Sequence, residues 1–174
     1  MVVNRESRPV DRVPGRRDGP PGLGGSLRRA WLGYQHRLDE AMAAAGFDDR
    51  RFPDGRVLRI CSGPAGTTVA QVGRQLGITR QGAAKVVANL RERGYVGVVD
   101  SPTSGREKTV SLTSRGLDYL AAQRRSARAI ERQLQTELGP EGLAGLHRLL
   151  EVLGAEGEER VSDYLGSTRR SGTR

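Results

Sequence analysis

A single cysteine, Cys61, stands in 174 residues, and no intrachain disulfide is possible. That fits a reducing compartment, so a cytoplasmic location is expected. Aromatic residues are scarce at 4%, and hydrophobic residues of all kinds reach only 36%. So thin a core predicts that part of the apolar surface is covered by a partner. No run approaches the roughly 18 apolar residues of a membrane span, so no membrane association is expected. The arginines near the N-terminus are not followed by an apolar stretch, which speaks against a secretory leader. The two histidines, His36 and His147, lie far apart, and nothing has the Cys/His spacing of a metal site. Neither metal nor cofactor is expected. No nucleophile–base–acid set can be assembled either, so the chain does not read as an enzyme.

What the chain does have is positive charge. The formal net charge is +9 and the sequence pI is near 10.8, a balance suited to a polyanion. Lysines 85 and 108 are the only two among the basic residues; the rest are arginine. The charge is unevenly placed. Residues 66–115 carry a net +5, whereas residues 116–165 carry −3. A uniformly basic surface is therefore excluded, and the segment from 66 to 115 is the candidate for meeting the polyanion.

Residues 1–25 are rich in Pro, Gly and Arg without periodicity and read as a disordered basic arm; 166–174 read as a basic tail. "GLGG" lacks the preceding strand and third glycine of a dinucleotide loop. Between the arms, residues 26–165 read as one domain. Ser26 is placed to cap a helix over 26–45, where Leu27, Trp31, Tyr34, Leu38, Ala41 and Ala45 recur at three- and four-residue spacing. "DDRRFPDG" reads as a loop and "RVLRIC" as a short helix. From Thr68 a further helix turns Val69, Val72 and Leu76 inward, with Gly73 leaving room for a close neighbour. Gly77 permits a left-handed turn, Ile78 plugs it, and Thr79 caps the following helix. Two helices joined by about three residues form a helix-turn-helix.

After Gly94 the period changes. "YVGVVD" and "KTVSLT", separated by the turn-rich "SPTSGRE", predict a hairpin. From Ser114 the helical period returns with Leu117, Leu120, Ile130, Leu134 and Leu138. "GPEG" interrupts it, with Pro140 suited to a first helical position. Leu143, Leu146, Leu149, Leu150 and Leu153 then make a leucine stripe that Val161 and Leu165 extend. The fold class expected is mainly α with a small β wing. Residues of about 57–116 would form its central part, and the leucines of residues 26–45 and 117–165 are too many to face one small winged helix, so these are expected to be dimerisation helices.

The second helix of the pair carries the sharpest signal. At about 100° per residue, Ala83, Val86, Val87 and Leu90 share one face. The opposite face carries Gln81, Lys85 and Ala88, flanked by Ala84 and Asn89, with Arg80 near the start. Small residues there let a helix enter a groove about 12 Å wide, where Gln suits adenine, Arg or Lys suits guanine, and Ala meets a thymine methyl. Thr67, Thr68 and Thr79, near helix starts, are candidates for holding phosphates. Arg106 and Lys108 flank the hairpin tip, and an arginine on a narrow protrusion suits a minor groove. Double-stranded DNA is the expected partner.

Residues 57–123 resemble the MarR family of winged-helix regulators. "VVDSPTSGREKTVSLTSRG" is similar to that family's wing, in which Asp-Pro is followed by Asp-x-Arg and then Leu-Thr-x-x-Gly. Asp100, Pro102, Arg106, Leu112, Thr113 and Gly116 fall on the pattern. One residue is inserted between Asp100 and Pro102, and Ser104 stands where the family has the acid that helps hold the wing arginine. The resemblance implies a homodimer, a palindromic site and often a small-molecule pocket between the dimer and DNA-binding parts. Trp31, Tyr34 and His36 are candidates for lining such a pocket for a small aromatic effector, with the dimer core as the alternative use of the two rings. Cys61 reads as a small buried hydrophobe, with oxidant sensing as the alternative. The expected function is transcription regulation, by repression. An effector-independent architectural or RNA-binding winged helix remains open. So does a dimerisation module of the kind that precedes a methyltransferase domain.

Overall fold

A computed structural model describes residues 22–101 and 104–155. Residues 1–21, the tail, Val161, Leu165 and Pro102 lie outside them, whereas the last residues of the expected N-terminal arm, from Leu23, are helical. The elements run α1 (Leu23–Ala44), α2 (Asp54–Ile60), β1 (Thr67–Thr68), α3 (Val69–Leu76), α4 (Arg80–Glu92), β2 (Val96–Ser101), β3 (Ser104–Leu112) and α5 (Ser114–Gly154). Most of the described chain is helical, with one small sheet, as the periodicities predict.

The chain divides into two compact units at Tyr34/Gln35, within α1. In the first, α1 begins at Leu23, and the Ser26 amide donates to the Gly22 carbonyl at 3.1 Å. Ser26 is thus inside the helix rather than its cap. Trp31 and Tyr34 stack with centroids 6.3 Å apart.

The second unit holds the core. Leu38 and Met42 of α1, Val57 and Leu58 of α2, Val72 and Leu76 of α3, Ala83, Val87 and Leu90 of α4, Val110 of β3 and Tyr119 and Leu120 of α5 are buried together with Tyr95. Val69 and Val86, expected to point inward, are half-buried. The sheet has the order β1-β3-β2, antiparallel throughout. The hairpin is as expected from the sequence, but the two-residue β1, pairing Thr67 with Val110 and Thr68 with Thr109, has no period of its own to announce it.

The buried face of α5 differs from the expected one. Leu117 is 56% exposed and Leu138 is exposed as well, whereas Gly116, Tyr119, Ala122 and Ser126 join Leu120 and Ile130 inside. The rotation is set where the helix starts: a β-carbon on Gly116 would stand 2.2 Å from the Tyr95 carbonyl oxygen, so this flank must face β2. The break at "GPEG" is real. Gly139 has φ 72° and ψ 166°, and α5 continues past it with Pro140 in the first turn of its second arm.

Candidate nucleic-acid interface

The two helices of the helix-turn-helix are fixed by their caps. The Thr68 hydroxyl accepts from the Gln71 amide at 3.2 Å, while the Gln71 side chain accepts from the Thr68 amide at 2.8 Å, a reciprocal capping box. At the other end of α3, Gly77 takes φ 66°, and the Ile78 amide donates back to Gly73 at 3.0 Å. Thr79 opens α4, its hydroxyl accepting from the Gly82 amide at 3.1 Å. The three candidate phosphate holders therefore differ. Thr68 and Thr79 stand at helix starts, where backbone N–H groups and the helix dipole favour an anion. Thr67 is buried, and its hydroxyl donates to Gln71 at 3.1 Å, so its place is in the sheet rather than on the surface.

With Ala83, Val87 and Leu90 in the core, α4 presents Arg80, Gln81, Ala84 and Lys85 exposed, and Asn89 half-buried. Gln81, Lys85 and Asn89 are spaced four apart, and such positions form one ridge along a helix. Lys108 is exposed on β3, paired in register with Asp100. The ladder shifts between Asp100 and Ser101, whose partner is Ser104, leaving residues 105–107 beyond the regular pairing. That irregularity falls where the sequence carries its extra wing residue. The backbone of Arg106 belongs to this stretch; its side chain is outside the described part.

The C-terminal end of α4 is anchored by a group that sequence reasoning missed. The Arg93 guanidinium, only 11% exposed, donates from Nε to Asp49 Oδ2 at 2.9 Å. Its Nη2 donates to the Asp49 carbonyl at 2.6 Å and to Asp54 Oδ2 at 2.7 Å, and Nη1 donates to Asn89 Oδ1 at 3.1 Å. Burial lowers the pKa of Arg93, but its hydrogen bonds to Asp54 and Asp49 outweigh that and raise it above its ordinary value. Burial likewise opposes the Asp49 carboxylate, but hydrogen bonds from Arg93 and Tyr95 outweigh it and keep the carboxyl below its usual range. Around this knot, Phe47, Tyr95 and Tyr119 meet edge to face or tilted, at centroid distances of 5.2 to 6.3 Å. Arg115 lies 5.0 Å over the Tyr95 ring. The one available signal was the continuation of the four-residue spacing from Asn89 to Arg93; nothing marked Asp49 and Asp54, in and just after a loop, as its partners.

Helix-turn-helix, an adjoining three-stranded wing and long flanking helices are the combination by which the chain resembles known proteins. Residues 51–107 match the MarR family model. Over that stretch the chain is similar to a MarR-family winged helix. Its fold is that of the family's transcriptional regulators. A probable transcriptional regulator from Pseudomonas aeruginosa is 26% identical, with 76% of this chain and 96% of that one covered and a TM-score of 0.59. CouR, a transcriptional repressor solved on a 23-mer DNA duplex, is 25% identical over 76% of this chain and 92% of its own, at a TM-score of 0.59. The Mycobacterium tuberculosis MarR family protein RV2887, solved with salicylic acid, is 27% identical over 79% of this chain and 98% of its own, at 0.55. A comparison with curated proteins returned no match.

The other sequence candidates of this chain are scattered. Trp31 and Tyr34 come together in the first unit, whereas His36 belongs to the second, where its Nε2 lies 3.3 Å from Glu40. Open cavities among the described residues include one of about 440 Å³ beside Arg37, Gln133, Thr136 and Glu137 and another of about 360 Å³ beside Arg56, Arg59, Ile60 and Gln75. None of the three aromatic candidates lines either. Cys61 is buried and caps α2, and burial pushes its thiol up to about 11. No described helix is long and apolar enough to cross a membrane.

Proposed function

We propose that this chain is a sequence-specific DNA-binding regulator of transcription, acting as a homodimer on a palindromic site and repressing by occupying a promoter. The observation that carries the reading is the exposed ridge of α4, Gln81 and Lys85 followed by Asn89, on a helix whose other face is locked into the core. Gln81 and Lys85 read base edges in the major groove, with Arg80, Ala84 and Asn89 beside them. Thr68 and Thr79 hold phosphates, Lys108 adds charge on the wing, and Arg106 enters the minor groove. The net +5 of residues 66–115 supplies the attraction to the backbone. The similar repressor on its DNA duplex supports this use of the fold.

The homodimer is supported by apolar side chains left exposed among the described residues: Leu149, Leu150, Val152 and Leu153 on the second arm of α5. The relative solved with salicylic acid supports a further step, release of the DNA by a small aromatic ligand, for which Trp31 and Tyr34 offer stacked rings.

Selection from a pool of genomic fragments with the purified full chain tests the reading. Enrichment of one inverted repeat is the expected result. A steep salt dependence with no enriched sequence would reject it in favour of an architectural role.

A further inference from the structure

Gln81, Lys85 and Asn89 lie on one ridge of α4, and Arg93, the residue that caps the helix, continues the same four-residue spacing. The ridge starts exposed and ends buried, because the loop carrying Asp49, together with Asp54 at the start of α2, closes over its last member. Asn89 is where the two regimes meet. Its Oδ1 accepts from Arg93 Nη1 at 3.1 Å. A guanidinium has donors and no acceptor, so the amide oxygen, never the amide nitrogen, must face it. Arg93 itself has little freedom to turn, being bonded to Asp49 twice and to Asp54 once. The carboxamide of Asn89 is thereby oriented.

That orientation matters for what Asn89 can read. Pairing with adenine uses both ends of an asparagine amide, the oxygen accepting from N6–H and the nitrogen donating to N7. With one lone pair of Oδ1 taken and the oxygen turned toward Arg93, the end of the amide turned away from Arg93 is the Nδ2 amine, which only donates. Guanine offers two acceptors on its major-groove edge, O6 and N7, where adenine offers one acceptor beside a donor. We infer that Arg93 fixes the hydrogen-bonding polarity of Asn89, so that Asn89 reads a base-edge acceptor, guanine before adenine, and Arg93 acts as a positioning residue for specificity. The inference rests on the DNA-reading role of α4 proposed above.

Competition binding at one salt concentration tests it, using the selected site and its single-base variants against the full-length protein, Asn89→Ala, Arg93→Met and Arg93→Lys, with a thermal unfolding curve for each. Asn89→Ala is expected to flatten discrimination at one base pair by about tenfold. Both Arg93 variants are expected to shift the guanine-to-adenine preference at that same base pair about fivefold toward adenine, because the freed amide can then pair both ways. Arg93→Lys keeps a cation among the carboxylates and serves if Arg93→Met does not fold, since one ammonium lacks the planar fork that spans three partners. An unchanged base profile in the Arg93 variants, with affinity falling equally on all sequences, would overturn the inference and leave Arg93 a stabilising residue only. An unchanged profile in Asn89→Ala would overturn it too. Absence of any base preference in the unsubstituted protein is a different result: it would defeat the DNA-reading role itself.

Discussion

Gly116 lies against the Tyr95 carbonyl so closely that a β-carbon would stand 2.2 Å from the oxygen. The Thr113 amide donates to the same carbonyl at 3.1 Å, so the start of α5 and the start of β2 are joined at one point. Gly116→Ala places a methyl group where backbone stands and is expected to cost about 3 kcal/mol. Urea unfolding measures it. A loss below about 0.5 kcal/mol would mean that α5 can shift away from the wing without strain.

Asp49 makes acid stability a readout of the knot. Its folded carboxyl is held below the ordinary value of 3.8, after the bonds from Arg93 and Tyr95 outweigh burial. The stability it contributes is therefore present above pH 3.8 and is lost as the pH falls through the lower, folded value. Asp49→Asn is expected to lower the melting temperature at neutral pH and to flatten its decline on acidification. Parallel curves for variant and parent would show that other carboxylates govern the acid limb.

Cys61 is expected to be inert in the folded protein. With its thiol buried and pushed up to about 11, almost none is thiolate at pH 7. An aromatic disulfide reagent should label it only as fast as the chain unfolds, and immediately in denaturant. Fast labelling of the native protein would reopen an oxidant-sensing role.

Gln81→Ala separates reading from holding, because it changes no charge. It is expected to weaken binding to the selected site by about 1–3 kcal/mol and to leave random DNA nearly unaffected. Competition at fixed salt is the measurement. Equal losses on both would place Gln81 on the backbone.

The exposed leucines of α5 give a prediction about assembly. Leu149→Glu with Leu153→Glu puts two charges on the apolar second arm and is expected to convert a dimer into a monomer at micromolar concentration. Light scattering decides. A parent protein that is already monomeric, yet binds the selected site tightly, would remove both the dimer and the palindrome.

Local structure was legible in the chain because its causes are local. Thr79 as a cap, Gly77 at positive φ, the helical period from Val69 to Leu76 and the break at Gly139 each depend on residues within a turn or two. The exposed side chains of α4 followed from the same arithmetic, since a helix with Ala83, Val87 and Leu90 inside has only one face left to offer. Reading failed where an element has no period to detect. The strand β1 is two residues long and exists only because β3 passes beside it.

Sequence by itself determined the helix-turn-helix, the hairpin and the identity of the polar ridge, all set by backbone preference and side-chain periodicity over short distances. Only the tertiary structure decided which flank of α5 is buried, that Thr67 belongs to a sheet, and that Arg93 is gripped by Asp49 and Asp54. Those depend on packing between segments 39 and 44 residues apart for the ion pairs, and on one carbonyl's clearance for the helix. A guanidinium written in a row of arginines looks like any other. It becomes a clamp only when two carboxylates from another part of the chain arrive within hydrogen-bond reach and water is excluded around them.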